Sequence, residues 1–497
     1  MSILSKLLPS GGGGAIVDFV ASGTLPNGAP VILKADGTVE AVNTNAPISI
    51  TTGAETVFNG QIQSISVASD PNTTGKFVVA YRDVDNSNFG TAAVGTVSGT
   101  TISFGAEYIF NSDNTQQISV AFDPNTAGKF VVAYADHGNF GKGTAIVGTV
   151  SGTTISLGAE YIFNSSYTYD ISVAFDPNTA GSFVATYRDG GNSDYGTAVV
   201  GTLSGTTISF SAEYVFNSTA TQNTSASFDP NTTGKFVVAY QDDAYGSGYG
   251  KTVVGTVSGT TLSFGTRYTF NSGATFYISL IFDPNTAGKF VVVYLDQSNS
   301  NYGTNIVGTV SGTAISFGTE YVFNSGATGY ISASFDPNTA NNFVVTYRDG
   351  GNSNFGTAIV GTVSGTTISF SADHVFNSDV SDYNSVAFDP YNARKFVVAY
   401  KDSGNSGYGT ATVGQIATTG PTNLTASNFI GTSTKAYTNA EAATIALRGG
   451  VSTNQTGLTI GSTYYVQEDG TFATTADSIS VNAGKALSAT TLLLKDL

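Results

Sequence analysis

Cysteine and tryptophan are absent from the 497 residues, and only two residues are histidine. Without thiols there are no disulfides, thiolate metal sites or cysteine nucleophiles, so stability must come from burial and hydrogen bonding. Charge is also sparse. Only 11% of residues are charged, with 19 Lys and Arg against 35 Asp and Glu, for a formal net charge of −16. No basic stripe is present, and such a surface repels phosphate backbones, so nucleic acid is not an expected partner. No apolar run approaches the roughly 18 residues of a membrane span. The opening stretch MSILSKLLP is too short for a signal peptide and is broken by Lys6 and Pro9, so no classical secretion route is expected.

What is abundant is Gly (59), with much Thr, Ser, Val, Phe and Tyr. That mixture favours strands and tight turns over helices. It is also periodic. Asp-Pro begins at Asp70, Asp123, Asp176, Asp229, Asp283, Asp336 and Asp389, in steps of 53 or 54 residues. Phe-Asn recurs seven times from Phe58 to Phe376, and Tyr-x-Asp seven times from Tyr81 to Tyr400. One unit reads as four strands: ISVAF, the turn DPNTAG, KFVVAYAD, a polar loop, TAIVGTV, the turn SGT, and TISLGAEYIF. The first strand puts Ser and small residues on one face, with Ser at the first position of that face (Ser119 in ISVAF) in all seven units, as small side chains require where strands crowd an axis. The second is apolar on both faces and should be covered on both. Four-stranded antiparallel units repeated around an axis predict a β-propeller.

The ends strengthen this. The seventh unit has three strands and stops near Ile416, while ITTGAETVF at 50–58 matches ISFGAEYIF at 102–110. The N-terminal strand should therefore complete the last blade and leave no open edge. An open solenoid would explain the period but not the complementary missing strand. The expected fold is all-β: a seven-bladed propeller over 48–416, closed by the N-terminal strand, inserted into a small β-barrel-like domain made by 15–47 with 417–497. Residues 1–14, apolar and then four glycines, read as an anchor peptide on a flexible tether.

Enzymatic chemistry needs dissimilar groups converging on one point. His137 and His374 lie in different units, and the carboxylates recur in nearly every unit, which marks them as serving the scaffold. The S-x-D-x-G-x-T-W turn of propeller sialidases is absent. Calcium is conceivable in RDVDNSN (82–88), but the spacing matches no EF-type loop. No catalytic residue, metal or cofactor is expected. The loops sort onto two faces. DPNTAGK and VSGTT repeat almost unchanged on one. The other carries variable crossovers and loops, with aromatics that break the repeat: Tyr167, Tyr169, Tyr245, Phe276, Tyr277, Tyr330 and Tyr383. Rings for stacking beside Asp, Asn and Ser suit recognition of a ligand such as a glycan.

The flanking phrases ASGTLPNGAPVILKADGTVEAV, IALRGGVSTNQTGLTIGSTYYVQEDGTFATTADSISV and GKALSATTLLL resemble small β-modules of tailed-bacteriophage head-decoration and fibre proteins. The resemblance covers about 110 residues and not the repeats. It implies a non-enzymatic virion surface protein, located in the particle and homo-oligomeric by analogy with its kind. Its implied partners are capsid or tail proteins, met through the N-terminal peptide and flanks, and a host glycan on the propeller. A lectin-like protein outside any virion is the alternative expectation. A propeller glycoside hydrolase is disfavoured, because it would need carboxylates found in only one or two units.

Overall fold

The structure, a computed structural model, describes residues 16–42, 48–246, 248–417, 423–467, 470–476 and 479–496. The expected anchor, 1–14, lies outside the described residues, as does the side chain of Tyr245. The chain divides into two compact units, one of Ser49–Ala417 and one of the two flanks.

In the unit of repeats, each period builds an antiparallel sheet. Thr115–Phe122 pairs with Lys129–Asp136, that strand with Lys142–Ser151, and that with the first part of Thr154–Phe175. The second strand is buried along its length because its two faces enter different cores. Phe130, Val132 and Tyr134 pack with Val78 and Ala80 of the preceding repeat. Val131, Ala133 and Ala135 pack with Phe183 and Ala185 of the following one. Each sheet is thus stacked between two neighbours. Tyr408–Ile416, the last strand, pairs with Ile50–Thr52 and with Thr56–Ser69, the latter going on to pair with Lys76–Asp83. Strand pairing therefore runs in one closed circuit, the arrangement of a β-propeller.

The crossovers between repeats depart from the loops expected of them. Thr154–Phe175 and Thr261–Phe282 are single strands of 22 residues. Tyr167 still pairs with Lys142 in one sheet, while Thr168 already pairs with Asp189 in the next. The strand stays extended because the chain turns at a β-bulge, between Tyr169 and Ser172, rather than in a loop.

Three contacts tie successive repeats. The first is a ring of serine hydrogen bonds. The hydroxyls of Ser66, Ser119, Ser172, Ser225, Ser279 and Ser332 accept the N–H of Val120, Val173, Ala226, Leu280, Ala333 and Val386, and Ser385 accepts that of Val67. All seven bonds lie between 2.9 and 3.2 Å. Serine at this position is therefore an acceptor, and not merely a small residue. The second lies at the Asp-Pro turns. Asp123 Oδ1 accepts from its own turn at Asn125 N (2.9 Å), while Oδ2 accepts from Gly181 N of the next turn (3.2 Å). Thirdly, Asn125 Nδ2 donates to the Pro177 carbonyl (3.2 Å). Close packing also dictates a glycine in the third strand. A Cβ on Gly201 would sit 2.0 Å from the Phe183 ring.

The flanks form two five-stranded sheets rather than one closed barrel. One joins Ile16–Val20, Ala442–Leu447, Phe429–Ser433, Pro30–Leu33 and Val39–Ala41, drawing on both ends of the chain. The other is C-terminal throughout and runs from Val451–Ser452 through Thr491–Leu494, Val481–Ser488 and Thr463–Val466 to Phe472–Ala473. Ile32, Phe429 and Ala446 of the first pack with Tyr464, Val481 and Leu492 of the second.

The serine ring makes a direct prediction. Ser225→Ala removes the acceptor of the Leu280 N–H and should lower the free energy of urea unfolding by about 1–3 kcal/mol, the cost of a buried unpaired donor. As a control, Ser204→Ala, in an exposed outer turn, should cost about 0.5 kcal/mol or less.

Candidate functional site

The recurring polar residues are absorbed by the scaffold. Tyr134, fully buried, donates its hydroxyl proton to Glu160 at 2.7 Å, and Tyr187, Tyr294, Tyr347 and Tyr400 do the same to Glu213, Glu320, Asp373 and Glu55. Burial, reinforced by these acids, pushes the tyrosine hydroxyls well above their ordinary range. The Asn of Phe-Asn donates to the Asp of Tyr-x-Asp, as Asn164 to Asp189 (3.2 Å) and Asn324 to Asp349 (3.0 Å). One repeat differs. Arg267 stands where the acid recurs, donating to Asn217 Oδ1 (2.5 Å), and Lys251 pairs with Asp242 at 2.7 Å. In the RDVDNSN loop Asp83 and Asp85 accept the N–H groups of Asn86 and Gln61. Among the described residues, no three acids or histidines gather as metal ligands. His374 Nε2 lies 3.1 Å from Thr52 Oγ1, and the His137 ring sits edge-on to Tyr167 at the start of its polar loop.

The bulge at each crossover places one residue in the left-handed region, two positions before the ring serine. These seven are Ser64, Gln117, Asp170, Asn223, Tyr277, Tyr330 and Tyr383, with φ between 48° and 55°. From Gln117 to Tyr383 each touches the next, so that they form a collar above the serine ring. Gln117 Oε1 accepts from Asp170 N (3.1 Å), the Asp170 carboxylate from the Asn223 N–H, and Asn223 Oδ1 from Tyr277 N (3.2 Å). The Tyr277 and Tyr330 rings lie 5.3 Å apart, and those of Tyr330 and Tyr383 lie 4.9 Å apart. One side of the collar is polar and the other is an arc of three tyrosines.

Behind the collar stands the middle residue of Tyr-x-Asp, paired across the inner strands. Arg188 lies 4.2 Å above the Tyr169 ring and 3.5 Å from Asp170. Arg348 lies 4.7 Å above Tyr330 and 2.7 Å from Asp382. Burial, with Tyr383 and Asp382 nearby, pushes the Tyr330 hydroxyl up to about 12, so it is a neutral donor at physiological pH.

Of the aromatics singled out in the sequence, the structure brings Tyr277, Tyr330 and Tyr383 together. Tyr167 and Tyr169 form a separate stacked pair, 6.3 Å apart. Phe276 packs against the apolar cluster of Val291, Val293 and Leu295, because its neighbour Tyr277 takes the outward position at the bulge. Sequence reasoning missed Arg82, Arg188, Arg348 and the polar collar residues. The signal was available in the middle position of Tyr-x-Asp, which varies while its neighbours do not.

No family model and no curated protein matches the chain. Among solved structures, it is similar to Chaetomium thermophilum Sqt1 bound to the N-terminus of the ribosomal protein L10. That match has 14% identity, covers 71% of this chain and 88% of that one, and has a TM-score of 0.45. Saccharomyces cerevisiae Sqt1 matches at 11% identity, over 75% of this chain and 99% of that one, with a TM-score of 0.43. Neither of these structures is of a virion protein. The expected virion role, particle localisation, homo-oligomeric assembly, capsid or tail partners and host-glycan adhesion are accordingly not retained. At such scores the likeness transfers no partner to this chain.

A tyrosine in the left-handed region is strained, whereas asparagine tolerates it. Tyr277→Asn should therefore leave the urea midpoint unchanged or raise it. A loss of about 2 kcal/mol or more would mark the ring as a packing residue instead.

Proposed function

We propose that the repeats form a seven-bladed β-propeller acting as a non-enzymatic binding module, which takes a protein segment on its collar, and that the flanks form a separate small β-domain. One observation carries this reading. Seven positions share the same left-handed backbone; four hold Ser, Gln, Asp or Asn, and three adjacent ones hold Tyr. Strain of this kind persists where function requires it. Tyrosine supplies a large, amphipathic contact at low conformational cost, the usual chemistry of binding anchors. Three neighbouring rings make an arc longer than one side chain, which suits an extended segment. The absence of catalysis is part of the proposal: the recurring acids are engaged with tyrosine hydroxyls, asparagine amides and backbone N–H groups.

The test is a diverse peptide array probed with the full chain and with a Tyr277→Asn, Tyr330→Asn, Tyr383→Asn variant. The reading expects a set of peptides bound by the parent and weakened at least about tenfold in the variant, about 1.4 kcal/mol, with the fold intact by circular dichroism. Equal binding by both proteins, or no binding by the parent, would contradict it.

A further inference from the structure

Three arginines occupy equivalent positions behind the collar, and only two of them are neutralised. Arg188 takes its acid from the collar position of its own repeat, Asp170. Arg348 takes its acid from the next repeat, at Asp382. For Arg82 the same two positions hold Ser64 and Gln116, both neutral. Among the described residues no carboxylate lies within 4.0 Å of Arg82. Its Nη2 donates to Gln63 Oε1, while its Nε is buried with no acceptor; the Nε of Arg188 likewise has no hydrogen-bond acceptor but has the Asp170 and Asp194 carboxylates within 4.0 Å, which Arg82 lacks. A buried guanidinium donor left unpaired is costly, and a guanidinium matches an oxyanion with two parallel donors.

Arg82 also stands where the tyrosine arc ends. Tyr383 is the last of the three rings, and the Arg82 charge is close enough to counter the upward shift that burial imposes on the Tyr383 hydroxyl. Lys401, at the equivalent position one repeat before, also has no carboxylate within 4.0 Å among the described residues. The residues behind the collar hold four cations, Arg82, Arg188, Arg348 and Lys401, against three acids within 4.0 Å of them, Asp170, Asp194 and Asp382. That leaves a local surplus of one positive charge, at the Arg82 and Lys401 side, in a chain of net charge −16.

We infer that the Arg82 end of the tyrosine arc is an oxyanion site, taking a carboxylate, sulfate or phosphate group. Arg82 supplies the paired donors, Tyr383 a hydroxyl and a ring edge, and Lys401 further positive potential. The inference rests on the collar being the face that meets a ligand, and it assigns the ligand's charge. The group could belong to an acidic side chain of the bound segment or to a free anion.

Two measurements separate these sources and separate this inference from the collar reading. In the first, sulfate is titrated into the full chain at constant ionic strength, and the arginine Nε–Hε resonances are followed by NMR. The Arg82 resonance, identified by its loss in Arg82→Gln, should shift saturably. Those of Arg188 and Arg348, already paired, should shift less than half as far. No Arg82 shift, or equal shifts at all three, would overturn the site. In the second, matched peptides carrying Glu or Gln at one position are compared on the array. A preference of at least fivefold for Glu that disappears in Arg82→Gln identifies the acidic segment as the source. A sulfate response without that preference identifies a free anion. Peptides bound through the tyrosines with neither response overturn the oxyanion site and leave the collar reading standing.

Discussion

A single hydrogen bond, repeated around the molecule, fixes the rest: a serine hydroxyl on each inner strand accepts a backbone N–H from the inner strand of the next repeat. Inner strands of neighbouring sheets cannot pair as a ladder, because their hydrogen-bonding edges already belong to their own sheets. The serine joins them side chain to backbone, and sets both the spacing and the height of each repeat against the next. The final bond, from Val67 N to Ser385, joins the two ends of the unit of repeats. Strand exchange between Tyr408–Ile416 and Thr56–Ser69 closes the outside of the same sheet. A circuit held this way has no edge strand from which to unravel.

The collar depends on that ring. Each crossover has to bring the chain from the outer edge of one sheet to the serine position of the next. It does so through a bulge with one left-handed residue, and a fixed offset from the serine places all seven of these at one level. The scaffold therefore presents equivalent positions that can be filled independently. Four have polar residues, Asp and Asn among them compatible with a left-handed backbone, and three have tyrosine. The symmetric frame is what makes the asymmetry interpretable: the difference between Arg82 and its two paired counterparts is one of neighbours, not of backbone.

Much of this was legible in the sequence. The period, the four-strand unit and the match of 50–58 to 102–110 led to the closed circuit, because strand alternation and turn residues leave a local signature. The scaffold role of the recurring acids was legible for the same reason. The crossovers were not. A bulge is one extra residue in an extended strand, and Asp170, the single turn-compatible residue in TYDISVAF, does not distinguish it from a loop, so 165–170 read as a loop. Phe276 and Tyr277 are adjacent aromatics, and only the bulge decides which points to the core. The roles of Arg82, Arg188 and Arg348 depend on partners up to 34 residues away, which no local pattern shows. In the flanks, short strands announced a β-domain, but their division into two sheets follows from long-range pairing between Ile16–Val20 and Ala442–Leu447.

Native-state amide hydrogen exchange on the full chain tests the central claim most directly. If the serine ring holds the circuit, the Val67 N–H, which closes it, exchanges only through global unfolding, at the same free energy as the Leu280 N–H on the far side. Exchange of Val67 through a much cheaper local opening, with Leu280 still protected, would show that the ends are not joined by this bond and would contradict the account.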